Sequence, residues 1–192
     1  ALENGWSVVL ANKIPLTNVE TEEFCRLRSS GLRYETTVGA GLPVISTIDH
    51  LTGHGEEFKE ISAILSGSLS FILSELERGI ELRDAVFKAK EKGFTEPDPS
   101  EDLLGKDVAR KSVILARSLD LDFSLDDLTL EPLVPLEGKP ASDRDLSNQL
   151  VQYNGEFSDR VRSAADRGMR LRYVARINGD GARVGLEELE EA

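Results

Sequence analysis

A single cysteine, Cys25, stands in the 192-residue chain, so no disulfide can close within it. No histidine lies beside it, and Cys25 is expected to be a structural thiol rather than a reactive one. The basic, apolar and small-residue series of a signal peptide is also missing, which makes a reducing, cytoplasmic setting the expectation. Long apolar runs are absent: Val8 to Ala11 and Val113 to Ala116 fall far short of a membrane span, so no membrane partner is expected. There is no block of basic residues. Lys and Arg total 23 against 35 Asp and Glu, a net charge of −12, which leaves no electrostatic footprint for nucleic acid. No P-loop occurs, and Gly39 and Gly41 do not open a dinucleotide-binding glycine pattern because Val44 stands where the third glycine would fall.

What is present is enough for one ordinary core with a small appendage, since 40% of positions are apolar. Val8 to Ala11 and Leu32 to Val38 read as strands, and Thr17 to Ser30 reads as a helix stopped by Gly31. Pro43 opens a short helix, Phe58 to Leu65 alternates like a half-buried strand, and helices are expected over about 68–78, 81–92 and 104–119. Leu128 to Val134 is expected to be extended. A long helix or helix pair broken near Asn154-Gly155 follows over 146–167. Leu171 to Ile177 and Ala182 to Leu186 flank the turn signal Asn178-Gly-Asp-Gly181 as a strand pair. Strands and helices mix without regular alternation, which favours an α+β fold with a mostly antiparallel sheet and helices packed on one face. Both ends look cut: a helix end and a strand open the chain, and Glu187 to Glu191 closes it as an acidic run without a cap.

The most informative stretch runs from Gly93 to Lys111. Two X-Pro steps hold its first half extended, so Glu96, Asp98, Glu101 and Asp102 are expected on a stiff loop. In the helix that follows, about 100° per residue places Asp107 and Lys111 on the apolar side, and Lys106, Arg110 and Arg117 on the far side. An ammonium on an apolar face needs a partner or a lowered pKa, and Asp107 lies one turn earlier. Such a lysine suits general acid or base work; it equally suits a structural ion pair, and spacing alone leaves both open. Four acids without the alternating Asp/Asn and glycine of an EF-hand do not point to a calcium loop. Ser66-Gly-Ser-Leu-Ser70 at a helix start offers free N–H groups to an anion, or is an ordinary cap. Glu35 precedes a glycine-rich turn whose carbonyls could converge on a cation. His50 and His54, around Thr52-Gly53, read as solvated or capping side chains rather than a metal pair.

Taken in order, Ala11-Asn-Lys13, Tyr34 to Pro43, Ser66 to Leu73 and Gly93-Phe-Thr-Glu-Pro-Asp-Pro through Asp107-Val-Ala-Arg-Lys111 resemble the homoserine dehydrogenase family, in the form found in fungi and in enzymes fused to an aspartokinase. The resemblance covers most of the chain and weakens after about Leu119. It implies NAD- or NADP-dependent reversible oxidation of L-homoserine to L-aspartate 4-semialdehyde, on the route to threonine, methionine and isoleucine, by a homodimer. It implies Lys111 as the lysine that handles the proton of the reacting oxygen, with Lys13 a second lysine beside nicotinamide and substrate. Glu96, Asp102 and Asp107 are implied holders of homoserine, with Ser68 a hydroxyl near it. Asn12, Lys13 and Gly93 are implied cofactor contacts, and Glu35 with the carbonyls of Val38, Ala40 and Leu42 an implied site for a monovalent cation, sodium being the one expected.

Two departures accompany the resemblance. Phe94 stands where tyrosine is frequent, which keeps an aromatic wall but removes a hydroxyl. The glycine-rich start of a Rossmann fold is not in the sequence, so residues 1–16 are expected to be the tail of a Rossmann-type cofactor domain and 17–192 the substrate-binding, catalytic and dimerisation domain. A rival expectation is a non-catalytic dimerisation or amino-acid-sensing module on the same fold. Another is a related dehydrogenase for a different semialdehyde.

Overall fold

The structure is a computed structural model and describes residues 2–190. After a 3-10 turn at Leu2–Asn4, the helices are α1 (Ile14–Thr17), α2 (Thr21–Ser29), α3 (Thr36–Gly39), α4 (Val44–Gly53), α5 (Gly67–Glu77), α6 (Leu82–Glu91), α7 (Ser100–Leu103), α8 (Lys106–Ser118), α9 (Asp143–Val151) and α10 (Asn154–Asp166). The strands are β1 (Glu60–Ala63), β2 (Leu128–Leu130), β3 (Met169–Asn178) and β4 (Gly181–Glu190), in one sheet of order β1-β3-β4-β2. This is the expected α+β class with a mostly antiparallel sheet. β1 runs antiparallel to β3 with Glu60 opposite Asn178 and Ala63 opposite Ala175, and Arg176 pairs with Glu60 at 2.9 Å.

The chain divides into two compact units, one of residues 1–65, 108–129 and 175–183, the other of 66–107, 130–174 and 184–192. In the first, Leu16, Phe24, Leu32, Ile45 and Ile48 share a buried cluster with Val113, Ile114 and Ile177. Phe24 meets Tyr34 edge-on at 5.4 Å between ring centres, and the Tyr34 hydroxyl reaches Ser118 Oγ at 3.1 Å. In the second, α5 packs on α6, α7 and α10, and α6 packs on α9 and α10. Leu69, Ile72, Leu73 and Leu76 of α5, and Leu82, Ala85, Val86 and Ala89 of α6, are buried in i, i+3, i+4 stripes. Ser66 caps α5 by accepting from the Leu69 N–H at 3.1 Å, and Ser142 caps α9 through the Asp145 N–H at 3.2 Å.

Four local readings are corrected. Val8 to Ala11 and Leu32 to Val38 form no strands: they meet in a single parallel bridge, Val9 with Arg33, and the second stretch then turns into α3. The pairing needs only two backbone bonds, Leu10 N–H to the Arg33 carbonyl at 2.7 Å and Arg33 N–H to the Val8 carbonyl at 2.9 Å. Leu128 to Val134 is strand only at its start: β2 ends at Leu130, the Glu131 N–H still donates to the Val184 carbonyl at 2.8 Å, and Pro132 has no N–H for a ladder. Glu187 to Glu190 is strand rather than an uncapped tail, because β3 offers a long partner. Arg117, placed by helical angle on the polar side of α8, is 1% exposed. α8 is buried from Ser112 through Ser118, so no polar side exists at that end.

Candidate active site

Lys111 lies in the second turn of α8, half-buried, and its Nζ donates to the Leu65 carbonyl at 2.6 Å. That carbonyl follows β1 and precedes the Ser66 cap of α5, so the lysine is tied to the backbone where strand gives way to helix. A charged donor on a backbone oxygen makes a strong bond and fixes the direction of the ammonium. Asp107 stands one turn earlier on the same helix, also half-buried. Arg110, which helical spacing places on the far side, is half-buried too, so burial does not separate the two faces at this point of the helix.

Residues of the second unit carry the acids. Ser68 Oγ donates to Asp102 Oδ1 at 2.9 Å, and Ser66 Oγ lies 2.9 Å from Ser68 Oγ. Both serines are buried at 7% exposure, so a chain of hydroxyls reaches from the α5 cap to a half-buried carboxylate. Glu101 and Asp102 are not on an extended loop as expected: Pro99 starts a helical turn, and both lie in α7. Asp98 starts this turn by accepting from the Ser100 hydroxyl at 2.5 Å and the Ser100 N–H at 3.0 Å, and Lys139 pairs with it at 3.2 Å. The Ser100 bonds, helped by Lys139, hold the Asp98 carboxyl below its usual range. Asp98 is thus a structural hinge of the loop, a role not read from the sequence, although the Asp-Pro-Ser pattern of a turn carried it. Glu96 is exposed on the segment before it.

Gly93 follows the end of α6 with φ +71°, the left-handed conformation that ends helices, and its N–H returns to the Lys90 carbonyl at 3.0 Å. Nothing lies within 4 Å of where its side chain would start, so the backbone face is open. Phe94 is 52% exposed and packs on Phe71 at 4.7 Å between ring centres, so the aromatic wall is present without a hydroxyl.

In the first unit, Asn12 Oδ1 accepts from the Ile14 N–H at 3.0 Å, a side-chain turn that starts α1 and leaves Lys13 as its half-buried cap residue. Glu35 grips the start of α4 with both oxygens, Oε1 from the Ile45 N–H at 2.8 Å and Oε2 from the Ser46 N–H at 2.9 Å. A carboxylate so held keeps lone pairs for a cation. Between them, Ala40 takes φ +51° and ψ −110°, an uncommon setting for a residue with a side chain, and Leu42 is 66% exposed. Among the described residues no group of three or more His, Cys, Asp and Glu side chains converges as a metal site. No helix among them is long and apolar enough to cross a membrane.

The first unit thus holds a backbone-anchored lysine, and the second a serine-held carboxylate. Comparison with known proteins identifies the family. The sequence profile described as homoserine dehydrogenase matches residues 43–192. The bifunctional aspartokinase/homoserine dehydrogenase of Haemophilus influenzae is 42% identical over 195 aligned positions, covering 97% of this chain and 24% of that protein. Bifunctional aspartokinase/homoserine dehydrogenase 2 of Escherichia coli is 39% identical, covering 98% and 24%. Among solved structures, a putative homoserine dehydrogenase from Archaeoglobus fulgidus matches with a TM-score of 0.79 at 26% identity, covering 99% of this chain and 54% of that one. A Candida auris protein described as of unknown function reaches 0.89 at 30% identity over 98% and 56%. The chain belongs to the homoserine dehydrogenase family. It spans about a quarter of the length of the curated relatives it matches.

Proposed function

We propose that this chain carries the substrate-handling and proton-transferring part of an NAD(P)-dependent homoserine dehydrogenase, converting L-homoserine reversibly to L-aspartate 4-semialdehyde. The observation that carries the reading is the bond of Lys111 to the Leu65 carbonyl at 2.6 Å. It aims a half-buried amine that can take the hydroxyl proton during oxidation and return it to the carbonyl oxygen during reduction. The nicotinamide ring accepts or gives the hydride when the cofactor is bound. Oxidation thus removes a C–H bond as hydride and an O–H bond as proton, leaving the aldehyde; reduction reverses both.

Around that step, Asp102 with its Ser68 donor, Glu96 and Asp107 hold the ammonium and orient the substrate. Lys13, at the head of α1, and the Asn12 and Gly93 backbone positions are the cofactor contacts, with Lys13 a second lysine near the chemistry. The open face at Gly93 supports this, since a nucleotide can lie against backbone that has no side chain. Residues 1–16 are read as a piece of a cofactor domain and 17–192 as the catalytic and dimerisation domain, with the parallel bridge of Val9 and Arg33 tying the first stretch to the second. Glu35 with the Val38, Ala40 and Leu42 carbonyls is the site for a sodium-like ion, supported by the carboxylate held at Ile45 and Ser46 and the turned-over Ala40. The working form is a cytoplasmic homodimer.

The test is homoserine-dependent reduction of NAD and of NADP by the parent protein and by its Lys111→Met variant. Activity that falls by on the order of 10²–10⁴ in the variant supports the role. Undiminished activity rejects Lys111, and binding without turnover in the unaltered parent rejects the enzyme in favour of a sensing module.

A further inference from the structure

We propose that His50 and His54 form a binding site for a borderline divalent transition-metal ion of the zinc class, through the Nε2 atoms of both rings. The two residues sit one turn apart at the C-terminal end of α4, His50 in its last turn and His54 as the residue that closes it. That spacing puts both side chains on one helix face, as in helical zinc-binding pairs. The rings already lie 4.4 Å apart between centres, tilted at 49°. Two imidazoles on one ion with metal–nitrogen bonds near 2.0–2.1 Å need nitrogens roughly 3.3 Å apart, a separation compatible with ring centres this close.

The second observation concerns the tautomer. His54 Nδ1 lies 2.7 Å from the His50 carbonyl, which accepts only, so the Nδ1 atom carries the proton. In the neutral ring the lone pair is then on Nε2. An Nδ1–H on a backbone carbonyl is the outer support that metal-ligating histidines use to fix ring orientation and raise basicity. Both rings are exposed, so the ion has access from solvent. The surroundings favour a cation: the carbonyl end of a helix carries partial negative charge, Asp49 precedes the pair, and Glu56 and Glu57 follow it.

No third side chain of His, Cys, Asp or Glu completes the group among the described residues. The remaining coordination positions therefore go to water or to a donor from another molecule, which makes this an open site rather than a structural zinc cage. Imidazole pairs select zinc, nickel, cobalt or copper(II) over magnesium and calcium, which prefer oxygen.

Titration of the chain with zinc chloride by calorimetry at neutral pH tests the proposal, with magnesium chloride as the contrast. The chain contains only two histidines, so ring-proton NMR during the same titration reads both ligands directly and without substitution. One zinc per chain, shifts of both rings, and affinity weakened more than about tenfold in His50→Ala and in His54→Ala are expected. Absence of zinc binding, binding that leaves either ring unshifted, or magnesium binding as tight as zinc overturns the proposal.

Discussion

The hydroxyl of Tyr173 on β3 occupies the place where a side chain on Gly105 would begin. It donates to the Glu131 carbonyl at 2.6 Å, and Gly105 makes room for it while turning the chain at φ +73° between α7 and α8. The tyrosine is 1% exposed, and burial pushes its hydroxyl pKa well up, so it stays a neutral donor. Two separate constraints thus require glycine at one position: the left-handed backbone and the close approach of a phenol.

Gly105→Ala should therefore destabilise the chain by about 2–4 kcal/mol, adding a backbone penalty to overpacking. Gly105→Ala combined with Tyr173→Phe should recover part of this loss, because the oxygen that blocks the methyl is gone. Urea unfolding of Gly105→Ala, of Tyr173→Phe alone, which loses the bond to the Glu131 carbonyl, and of the double variant measures both. Equal midpoints for Gly105→Ala and the double variant would show that only the backbone conformation matters.

Arg117 gives a second stability prediction. Its Nε donates to the Phe123 carbonyl at 2.7 Å, and one terminal nitrogen donates to the Leu16 and Val19 carbonyls, each at 2.8 Å. One guanidinium bonds three backbone oxygens, and its Cζ lies 6.0 Å from the Phe24 ring centre. Arg117→Met should cost about 3 kcal/mol or more, since buried acceptors lose their donor. Arg117→Lys should recover little, because one ammonium cannot reproduce the fork. The melting temperature of the two variants against the unaltered chain decides it.

These two residues also show how legible the chain is. Helices were readable where caps and apolar stripes agree, as at Ser66 with Leu69, Ile72 and Leu73. The strand pair around Asn178-Gly179 was readable from its turn, whose Asp180 N–H binds Asn178 Oδ1 at 2.9 Å. The burial of Arg117 was not readable, because two of its three carbonyl partners are roughly a hundred residues away and no local pattern announces them. Val8 and Arg33 misled for the same reason: β-branched and apolar residues give extended backbone, but a strand needs a neighbour along its whole length. Within the candidate site the acids were visible as residues, while the bond that orients Asp102 depends on Ser68, 34 positions earlier.

Glu75 makes stability depend on acid. The residue is 1% exposed on α5, and its carboxylate meets Lys88 Nζ at 2.5 Å and the Arg78 guanidinium at 2.7 Å. The Lys88 hydrogen bond, with the charges of Lys88 and Arg78 outweighing burial, lowers its pKa from the ordinary 4.5. A carboxyl whose pKa is lower when folded stabilises fully above the unfolded value and loses that contribution as pH falls through the folded one. Glu75→Gln should thus weaken the chain at neutral pH and flatten the decline of stability below pH 4.5. Urea midpoints measured from roughly pH 3 to 7 check this, and parallel curves for variant and unaltered chain would refute it.

Ser68 and Asp102 separate orientation from charge at the candidate site. Ser68 Oγ is flanked by Ser66 Oγ and Asp102 Oδ1, so it holds one oxygen of the carboxylate. Ser68→Ala removes the hold but keeps the charge, whereas Asp102→Asn keeps the shape and removes the charge. In the parent protein, Ser68→Ala should raise KM for homoserine about tenfold, with kcat little changed, because a hydrogen bond to a charged group contributes on the order of 1.5 kcal/mol. Asp102→Asn should raise KM further, since an ammonium loses its counter-charge. Under the proposed role, replacement of Lys111 should act instead on kcat, because the proton must still move once substrate is bound. Steady-state kinetics with homoserine varied at saturating cofactor distinguish these cases. If Ser68→Ala lowers kcat and leaves KM alone, the serine belongs to proton transfer rather than to substrate binding, and the division of labour between Asp102 and Lys111 must be redrawn.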